Sequence, residues 1–308
     1  ALKSYFESHG VPLIPLRTGA TMLTDELAST DPNIEIVLGG EPKRASISGE
    51  SQGRSALIHI DAASNPHLAD HCIDDTVVLP MVQVIEWFTR AVESLHPSKV
   101  VTACRRVRVL RGVALKHFHQ GGDTLRLECS PPSDDTVKVS LCDPTDPRRL
   151  YYSAEISLAD ELPSAPSNTE PALPAGKGLD TIYGETLFHG PLFQVIREVD
   201  TVSERGIAGA LDTTETIGWT GSWRTDPAAL DGGLQLALLW AQHCLGGRSL
   251  PTSLGSYQRF EVEPQGPLQC TLIGQVDGTS RALSTITFRD PEGRVVAEMR
   301  DVETHQRP

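Results

Sequence analysis

The chain has 308 residues, which is enough for two ordinary domains or for one large domain with an internal duplication. Its 39% hydrophobic and 22% charged residues are typical of globular proteins, and no apolar run approaches the roughly 18 residues that a membrane span needs. The formal net charge of -13 disfavours nucleic acid and anionic membranes as partners.

The first residues, ALKSYFESHG, lack the basic and apolar regions of a secretory signal, so the cytoplasm is the expected location. The six cysteines are scattered and form no C-x-x-C pair, which favours free thiols over disulfides or a zinc site. One basic cluster, RRVRVLRGVALK at residues 105–116, stands out against the acidic background. It is typical of a solvated strand face, and the alternative is a surface that receives an acidic carrier protein.

Residues 1–45 predict a short strand, a helix at about 18–28 and a second strand at 34–38, as at the end of an α/β unit. This sequence resembles the C-terminal end of a polyketide-synthase ketoreductase. No G-x-G-x-x-G motif accompanies it, so the segment is expected to be a tail or linker without a nucleotide site.

Residues 46–165 predict one helix and several strands. Apolar residues recur at helical spacing from Pro80 to about residue 95, while Glu86, Arg90 and Glu93 take the other side. Strand patterns separated by turn-like segments are predicted at 56–61, 100–115, 124–129, 137–141 and 151–158. A Pro-rich and Ser-rich stretch at 161–178 predicts an extended linker.

Residues 166–308 repeat this pattern after the linker. A helix is predicted at 226–245, and strands are predicted at 194–202, 206–211, 259–263, 270–276, 282–289 and 295–302. The predicted fold class is α+β: a double hot-dog in which two antiparallel sheets each wrap around a long central helix and form a pseudo-dimer.

The loop before the first helix carries the first chemical motif, NPHLADHCIDDTVVLP. It resembles the H-x-x-x-G-x-x-x-x-P motif of double hot-dog dehydratases, with His71 and Pro80 in the matching positions and Asp75 in place of the glycine. The resemblance implies a catalytic His71 and a substrate-binding role for Asp75 and Pro80. The helix resembles more closely the dehydratase-like domains of bacterial synthases of polyunsaturated fatty acids or other lipids.

In the second half, DPAALDGGLQLALLW resembles the D-x-x-x-Q element of the same family, which implies that Asp231 and Gln235 are catalytic. Four residues apart on a helix, the two share a face, so the amide of Gln235 can hold the rotamer of Asp231. Gly232 and Gly233 are costly within a helix, which indicates that another backbone or a ligand approaches closely there.

A third element, HGPLF, resembles the Y-G-P-x-F motif that lines the family's substrate tunnel, with His189 in place of tyrosine. Gly190, Pro191 and Phe193 are therefore predicted to bind substrate, although the glycine and proline also fit an ordinary turn. The segment LPTSLGSYQRF, from Leu250, is only weakly similar to the family's L-P-F-x-W segment.

The resemblance implies a dehydratase that acts on 3-hydroxyacyl thioesters, with His71 as base and Asp231 as acid, facing each other across the two halves. Neutral histidine is basic near pH 7, and burial can keep a carboxyl group protonated. No cofactor or metal is expected, because the substrate arrives on the phosphopantetheine of an acyl carrier protein. Other synthase domains and a second copy of the chain are the other expected partners.

Two alternatives remain. A catalytically degenerate hot-dog module would serve structure or carrier docking, and a product-template-like cyclase would use the same fold and a similar histidine and aspartate in a wider chamber. A metal site is considered for the pairs His67/His71 and His117/His119, but neither has an H-E-x-x-H pattern or nearby cysteines.

Overall fold

The computed structural model describes residues 53–167, 173–174, 176–179, 182–184, 187–262 and 266–306. They belong to the second of two compact units, Gln52–Pro308; the first is Ala1–Ser51. The predicted helix at 18–28, strand at 34–38 and ketoreductase-like tail lie outside the described residues. They stay predictions, as do the domain boundaries at 45/46 and 165/166.

The first half consists of one α-helix, seven strands and a short 3-10 helix. In chain order these are β1 (Arg54–Ile60), the 3-10 helix (Pro66–Asp70), β2 (Cys72–Ile73), β3 (Thr76–Val77), α1 (Met81–Leu95), β4 (Val100–Val109), β5 (Asp123–Cys129), β6 (Thr136–Cys142) and β7 (Leu150–Ala159).

The second half consists of one α-helix, six strands and another short 3-10 helix. In chain order these are the 3-10 helix (Pro191–Phe193), β8 (Ile196–Ser203), β9 (Gly206–Leu211), α2 (Pro227–Leu245), β10 (Ser249–Arg259), β11 (Leu268–Asp277), β12 (Arg281–Arg289) and β13 (Val295–Gln306).

The eleven longer strands form one antiparallel sheet in the order β1-β5-β6-β7-β4-β10-β13-β12-β11-β9-β8. The β4–β10 pair joins the two halves, with Tyr257 opposite Cys104 and Ser253 opposite Arg108. Helix α1 packs against β4, β6 and β7, α2 packs against the strands of the second half, and the two helices contact each other. The predicted double hot-dog is confirmed, with the two half-sheets fused into one.

Helix α1 begins after Pro80, as its sequence predicts, and buries its apolar face against the sheet. The opposite side is only in part a solvent face, since Arg90 is exposed whereas Glu86 is completely buried. Its carboxylate accepts hydrogen bonds from the backbone N–H groups of Arg224 and Thr225, from the Thr225 hydroxyl and from Arg90. The polar side of α1 therefore anchors the loop that leads into α2.

Helix α2 begins at Pro227 after the Asp226 cap, whose side chain accepts from the N–H of Ala229, and ends before Gly246 in a left-handed conformation. Every residue from Pro227 to Ala241 is buried. A Cβ at Gly233 would lie 2.5 Å from the Phe288 ring. The close approach predicted at the helix glycines is therefore made by side chains, not by a backbone or a ligand.

Two strand predictions were wrong. The strand predicted at 100–115 ends at Val109, where β4 leaves the sheet. The strand predicted at 259–263 corresponds to β10, Ser249–Arg259, which lies in the weakly matching LPTSLGSYQRF segment and pairs with both β4 and β13. Its alternation is obscured by small and polar residues, because much of the strand is only half-buried.

The six cysteines are free, as predicted. Neither helix of the described chain is long and apolar enough to cross a membrane.

Candidate active site

His71 follows the 3-10 helix Pro66–Asp70 and precedes the β2–β3 hairpin. Its Nδ1 lies 2.6 Å from the backbone oxygen of Val78, an acceptor that places the ring proton on Nδ1 and leaves Nε2 unprotonated. Burial lowers the pKa of His71 to about 4, although the hydrogen bond to Val78 acts in the opposite direction. His71 is therefore a neutral imidazole with a free basic nitrogen at physiological pH.

Asp231 lies in the second turn of α2 and is buried. Its carboxylate accepts a 2.7 Å hydrogen bond from Nε2 of Gln235, which also donates to the backbone oxygen of Phe193. The hydroxyl of Tyr183 donates to Oε1 of Gln235. Burial raises the pKa of Asp231 to about 7, and the hydrogen bond from Gln235 opposes this rise. A substantial fraction of Asp231 is therefore protonated near neutral pH.

The structure brings His71 of the first half and Asp231 of the second half together, and it adds His189. One ligand atom of each lies within 4.8 Å of the others, and all three residues are buried. Nε2 of His189 is 3.4 Å from Oδ2 of Asp231, and its ring stacks on Phe188. Nδ1 of His189 is buried and has no hydrogen-bond partner among the described residues.

Burial, and to a lesser extent the charge on His71, lowers the pKa of His189 to about 2, so His189 is neutral under ordinary conditions. Sequence reasoning named the HGPLF segment but did not place His189 in the site. The sequence did contain a signal for His189. It occupies the tyrosine position of the Y-G-P-x-F pattern, and a position that lines the tunnel stays in place when its side chain changes.

Two imidazoles and one carboxylate are a ligand set that zinc accepts. Nε2 of His189 and Oδ2 of Asp231 are 3.4 Å apart, and the three ligand atoms all lie within 4.8 Å of one another. His67 does not belong to this group, and its Nε2 lies 2.9 Å from Oε1 of Gln83. The expectation that the site uses no metal stays a prediction.

A cavity of about 130 Å³ adjoins the histidines and the acid. Its walls come from both halves and are mostly apolar: His71, Ile73, Val78, Leu79, Pro80, Met81, Val109, Gly112, Tyr152, Phe188, His189, Asp231, Leu234, Gln235, Leu238, Leu250 and Pro251. Among them only Gly112 is exposed, and the others are buried or half-buried.

Pro80 and Gln235 line this cavity, as their predicted roles require, whereas Asp75 is not among its lining residues. Asp75 is exposed at the turn of the β2–β3 hairpin, where it has a φ of 62° and follows Asp74 at 48°. Both angles fall in the left-handed region that favours glycine and that aspartate tolerates better than most residues. A glycine in this position of the motif thus fits the turn geometry, and Asp75 adopts the same left-handed backbone conformation.

Gly190, Pro191 and Phe193 are likewise not among the residues that line the cavity. The N–H of Gly190 donates to the backbone oxygen of Asp70, and a Cβ at Gly190 would lie 2.6 Å from Oδ1 of Asp70. Phe193 is completely buried, with its ring centroid 5.1 Å from that of His71. The described contacts of the segment thus dock the second half onto the His71 loop.

Comparisons with known proteins point to one family. The profile described as "Polyketide synthase dehydratase domain" matches residues 44–143, and the one described as "Polyketide synthase dehydratase N-terminal domain" matches residues 161–307. One subunit of the polyunsaturated fatty acid synthase of Thraustochytrium sp. is 27% identical over 314 residues. That match covers 95% of this chain but only 11% of the synthase protein, so the chain spans about a tenth of its relative.

Solved structures share the fold. The dehydratase domain from the CurJ module of curacin polyketide synthase superposes with a TM-score of 0.65 at 16% identity, covering 85% of this chain and 94% of that one. An N-terminal dehydratase from the difficidin assembly line gives 0.66 at 17% identity, covering 84% and 95%. With two family profiles matched in succession over both halves, the chain belongs to the polyketide synthase dehydratase domains.

Proposed function

We propose that the chain removes water from 3-hydroxyacyl thioesters to give 2-enoyl thioesters within a larger synthase. The observation that carries the proposal is the meeting of His71 and Asp231 at one narrow, largely apolar cavity. Their pKa values are displaced in opposite directions by burial, so that at near-neutral pH the histidine is a free base and the aspartate can hold a proton.

His71 is the base. Its Nε2 takes the α-proton of the thioester, and the electron pair of that C–H bond becomes the new carbon–carbon double bond. The hydrogen bond from Nδ1 to the oxygen of Val78 fixes the ring and strengthens as the imidazole becomes positively charged.

Asp231 is the acid. It gives its proton to the β-hydroxyl as the carbon–oxygen bond breaks, so that the leaving group departs as water and not as hydroxide. Gln235 acts as a positioning residue, because its amide binds Oδ2 and leaves Oδ1 without a hydrogen-bond partner among the described residues. The cycle closes when the proton on His71 returns to Asp231.

Charge develops on the thioester oxygen as the α-proton leaves. The N-terminus of α1 supports stabilisation of this charge, because Pro80 and Met81 line the cavity and the first N–H groups of a helix have no partner within the helix. Asp75 has no part in this proposal, since its exposed turn lies away from the cavity lining.

Related folds host other reactions. The enoyl-isomerase of a trans-acyltransferase polyketide synthase superposes with a TM-score of 0.59 at 12% identity. Moving a double bond requires proton transfers but no departing hydroxyl group. Asp231 is buried and can hold a proton. An acid of this kind suits protonation of a leaving hydroxyl group, which favours dehydration. The cavity of about 130 Å³ also disfavours a cyclase, which needs a wide chamber for a folded chain. A degenerate module would gain little from burying an imidazole and a carboxyl side by side.

The substrate is proposed to arrive on the phosphopantetheine of an acyl carrier protein, without another cofactor. Self-association into a homodimer is a separate proposal, which light scattering of the purified protein would test.

The reaction is tested by intact-mass spectrometry of a 3-hydroxyacyl carrier protein incubated with wild type or His71→Ala. A pantetheine thioester of the same acyl group serves as a second substrate. We expect loss of the mass of one water with wild type alone. No loss with several chain lengths would favour the non-catalytic module.

A further inference from the structure

The lining of the cavity reaches the protein surface at the loop that follows β4. Gly112 is the exposed member of its lining, and Val109, the last residue of β4, is half-buried beside it. A thioester group entering the cavity therefore passes the residues of this loop, and whatever carries the thioester must rest on the surface around it.

Two exposed leucines mark that surface. Leu110 is 50% exposed and Leu150 is 36% exposed, and they are two of the four large hydrophobic residues exposed in the described chain. They lie at neighbouring strand ends, since the N–H of Leu110 donates to the backbone oxygen of Tyr151 at 2.8 Å. Exposed leucines close to a cavity mouth indicate a contact surface more than scattered surface residues would.

The same surface is basic. Residues 100–116 contain four arginines and one lysine and no acid, in a chain whose net charge is -13. Arg108, Arg111 and Arg149 are exposed and make no salt bridge within the described residues. The guanidinium of Arg149 lies over the Tyr151 ring, 5.8 Å from its centroid, which keeps it at the ends of β4 and β7.

The basic character continues across the outer face of the first half-sheet. A groove of about 700 Å³ there is lined by Arg54, Arg106, Arg108 and Lys138, with Glu128 and Glu155 as its acids. One of the two acids, Glu155, is paired with Arg106. Arg108 lines this groove and directly precedes Val109, which lines the cavity, so a partner seated beside the cavity also meets a positive sheet face.

We propose that Arg108, Leu110, Arg111, Arg149 and Leu150, here named the mouth surface, dock the acidic carrier protein that delivers the thioester. The inference rests on the proposed function, because it assigns a place to the partner of that reaction. Acidic side chains of the carrier and the phosphodiester of its phosphopantetheine pair with the arginines, while the leucines pack against its apolar residues.

The test compares two substrates with the same acyl group: a 3-hydroxyhexanoyl acyl carrier protein and 3-hydroxyhexanoyl pantetheine. In the double variant Arg111→Glu/Arg149→Glu we expect kcat/KM for the carrier substrate to fall about tenfold or more, mainly through KM. Turnover of the pantetheine substrate should stay within about twofold of wild type, because it needs no docking surface. The matched control is Arg205→Glu, at the exposed turn between β8 and β9 of the other half.

Fluorescence anisotropy of labelled holo carrier protein gives a readout independent of turnover. Binding to wild type should weaken with rising salt, and the double variant should bind at least about tenfold more weakly than the Arg205→Glu control. Equal losses for both substrates, or unchanged carrier binding in a folded double variant, would overturn the proposal. If wild type turned over neither substrate but the double variant still lost carrier binding, the proposed reaction would fail while the docking surface would stand.

Discussion

Gln235 donates its amide N–H to Oδ2 of Asp231 across one turn of α2, at 2.7 Å. The same amide group donates to the backbone oxygen of Phe193, and Oε1 accepts from Tyr183, so the glutamine is held at both ends of its amide. An acid that must deliver a proton in one direction needs this kind of restraint, because a freely rotating carboxyl would have several orientations of similar energy.

The pH dependence of turnover should be bell-shaped. The base must be neutral, which requires a pH above the pKa of His71 at about 4, and the acid must be protonated, which requires a pH below the pKa of Asp231 at about 7. We therefore expect kcat/KM for the pantetheine substrate to be greatest between these values and to fall about tenfold per pH unit beyond them. A profile that keeps rising above pH 8 would assign the acid to another group.

Gln235→Leu should raise the pKa of Asp231 further, because the hydrogen bond it removes favours the ionised carboxylate. The alkaline limb of the pH profile is then expected to move upward, while kcat falls about tenfold through loss of the fixed rotamer. Gln235→Glu keeps the shape but sets a second carboxyl beside Asp231, so it should raise the pKa of Asp231 as well. An unmoved alkaline limb would show that the amide does not act through the aspartate.

Asp231→Asn should abolish most turnover, with a loss of about 10²–10⁴-fold, because it removes the acid and keeps its shape.

The effect of Asp231→Asn on stability should depend on pH. The folded-state pKa of Asp231 lies above the ordinary value of 3.8, so the wild-type protein loses stability as the pH rises toward and through about 7. The asparagine variant is expected to be more stable than wild type at pH 8, by roughly 4 kcal/mol, and to match it near pH 4. Urea unfolding at the two pH values measures this difference.

Glu86→Ala should weaken the junction between the halves. It leaves the N–H groups of Arg224 and Thr225 without their acceptor and opens space beneath the loop that enters α2. The free energy of unfolding is expected to fall by about 3 kcal/mol, measured by urea denaturation. Arg90→Ala is the control, because it removes a half-exposed partner of the same carboxylate and its hydrogen bond to the backbone oxygen of Ser222, but leaves the buried acceptor in place. Similar losses in the two variants would show that the buried hydrogen bonds contribute little.

Removal of metal ions should leave turnover unchanged, because proton transfer by His71 and Asp231 needs no ion. Protein dialysed against a strong chelator is expected to keep its activity with the pantetheine substrate, and its zinc content by mass spectrometry should be well below one ion per chain. If activity were lost on dialysis and restored by zinc, the trio of His71, His189 and Asp231 would need reinterpretation as a ligand set.

Much of the fold could be predicted from the sequence, because its two helices and most of its strands have clear apolar periods. The errors share a physical cause. Periodicity records which side of an element is apolar, but it does not record what covers the polar side. Glu86 was therefore assigned a place away from the core, although a loop from the other half buries it. Strand β10 was misplaced because a half-buried strand needs no regular apolar alternation.

The site residues could be predicted where they belong to motifs with a fixed spacing along the chain. His71, Asp231 and Gln235 were named in this way, and the structure places them around one cavity. His189 was not, because its proximity to Asp231 depends on how the segment before β8 packs against α2, which the local sequence pattern does not record. The contacts between Gly190 and Asp70 were equally invisible, since they join segments far apart in the chain.

The β4–β10 pair makes the two halves inseparable parts of one sheet. In an isologous dimer of identical chains every residue would occur twice, and any change made at one site would be made at the other. Joining the halves in one chain removes that constraint. One half can specialise in the base and the other in the acid, so each chain holds a single asymmetric reaction centre whose two sides can change independently.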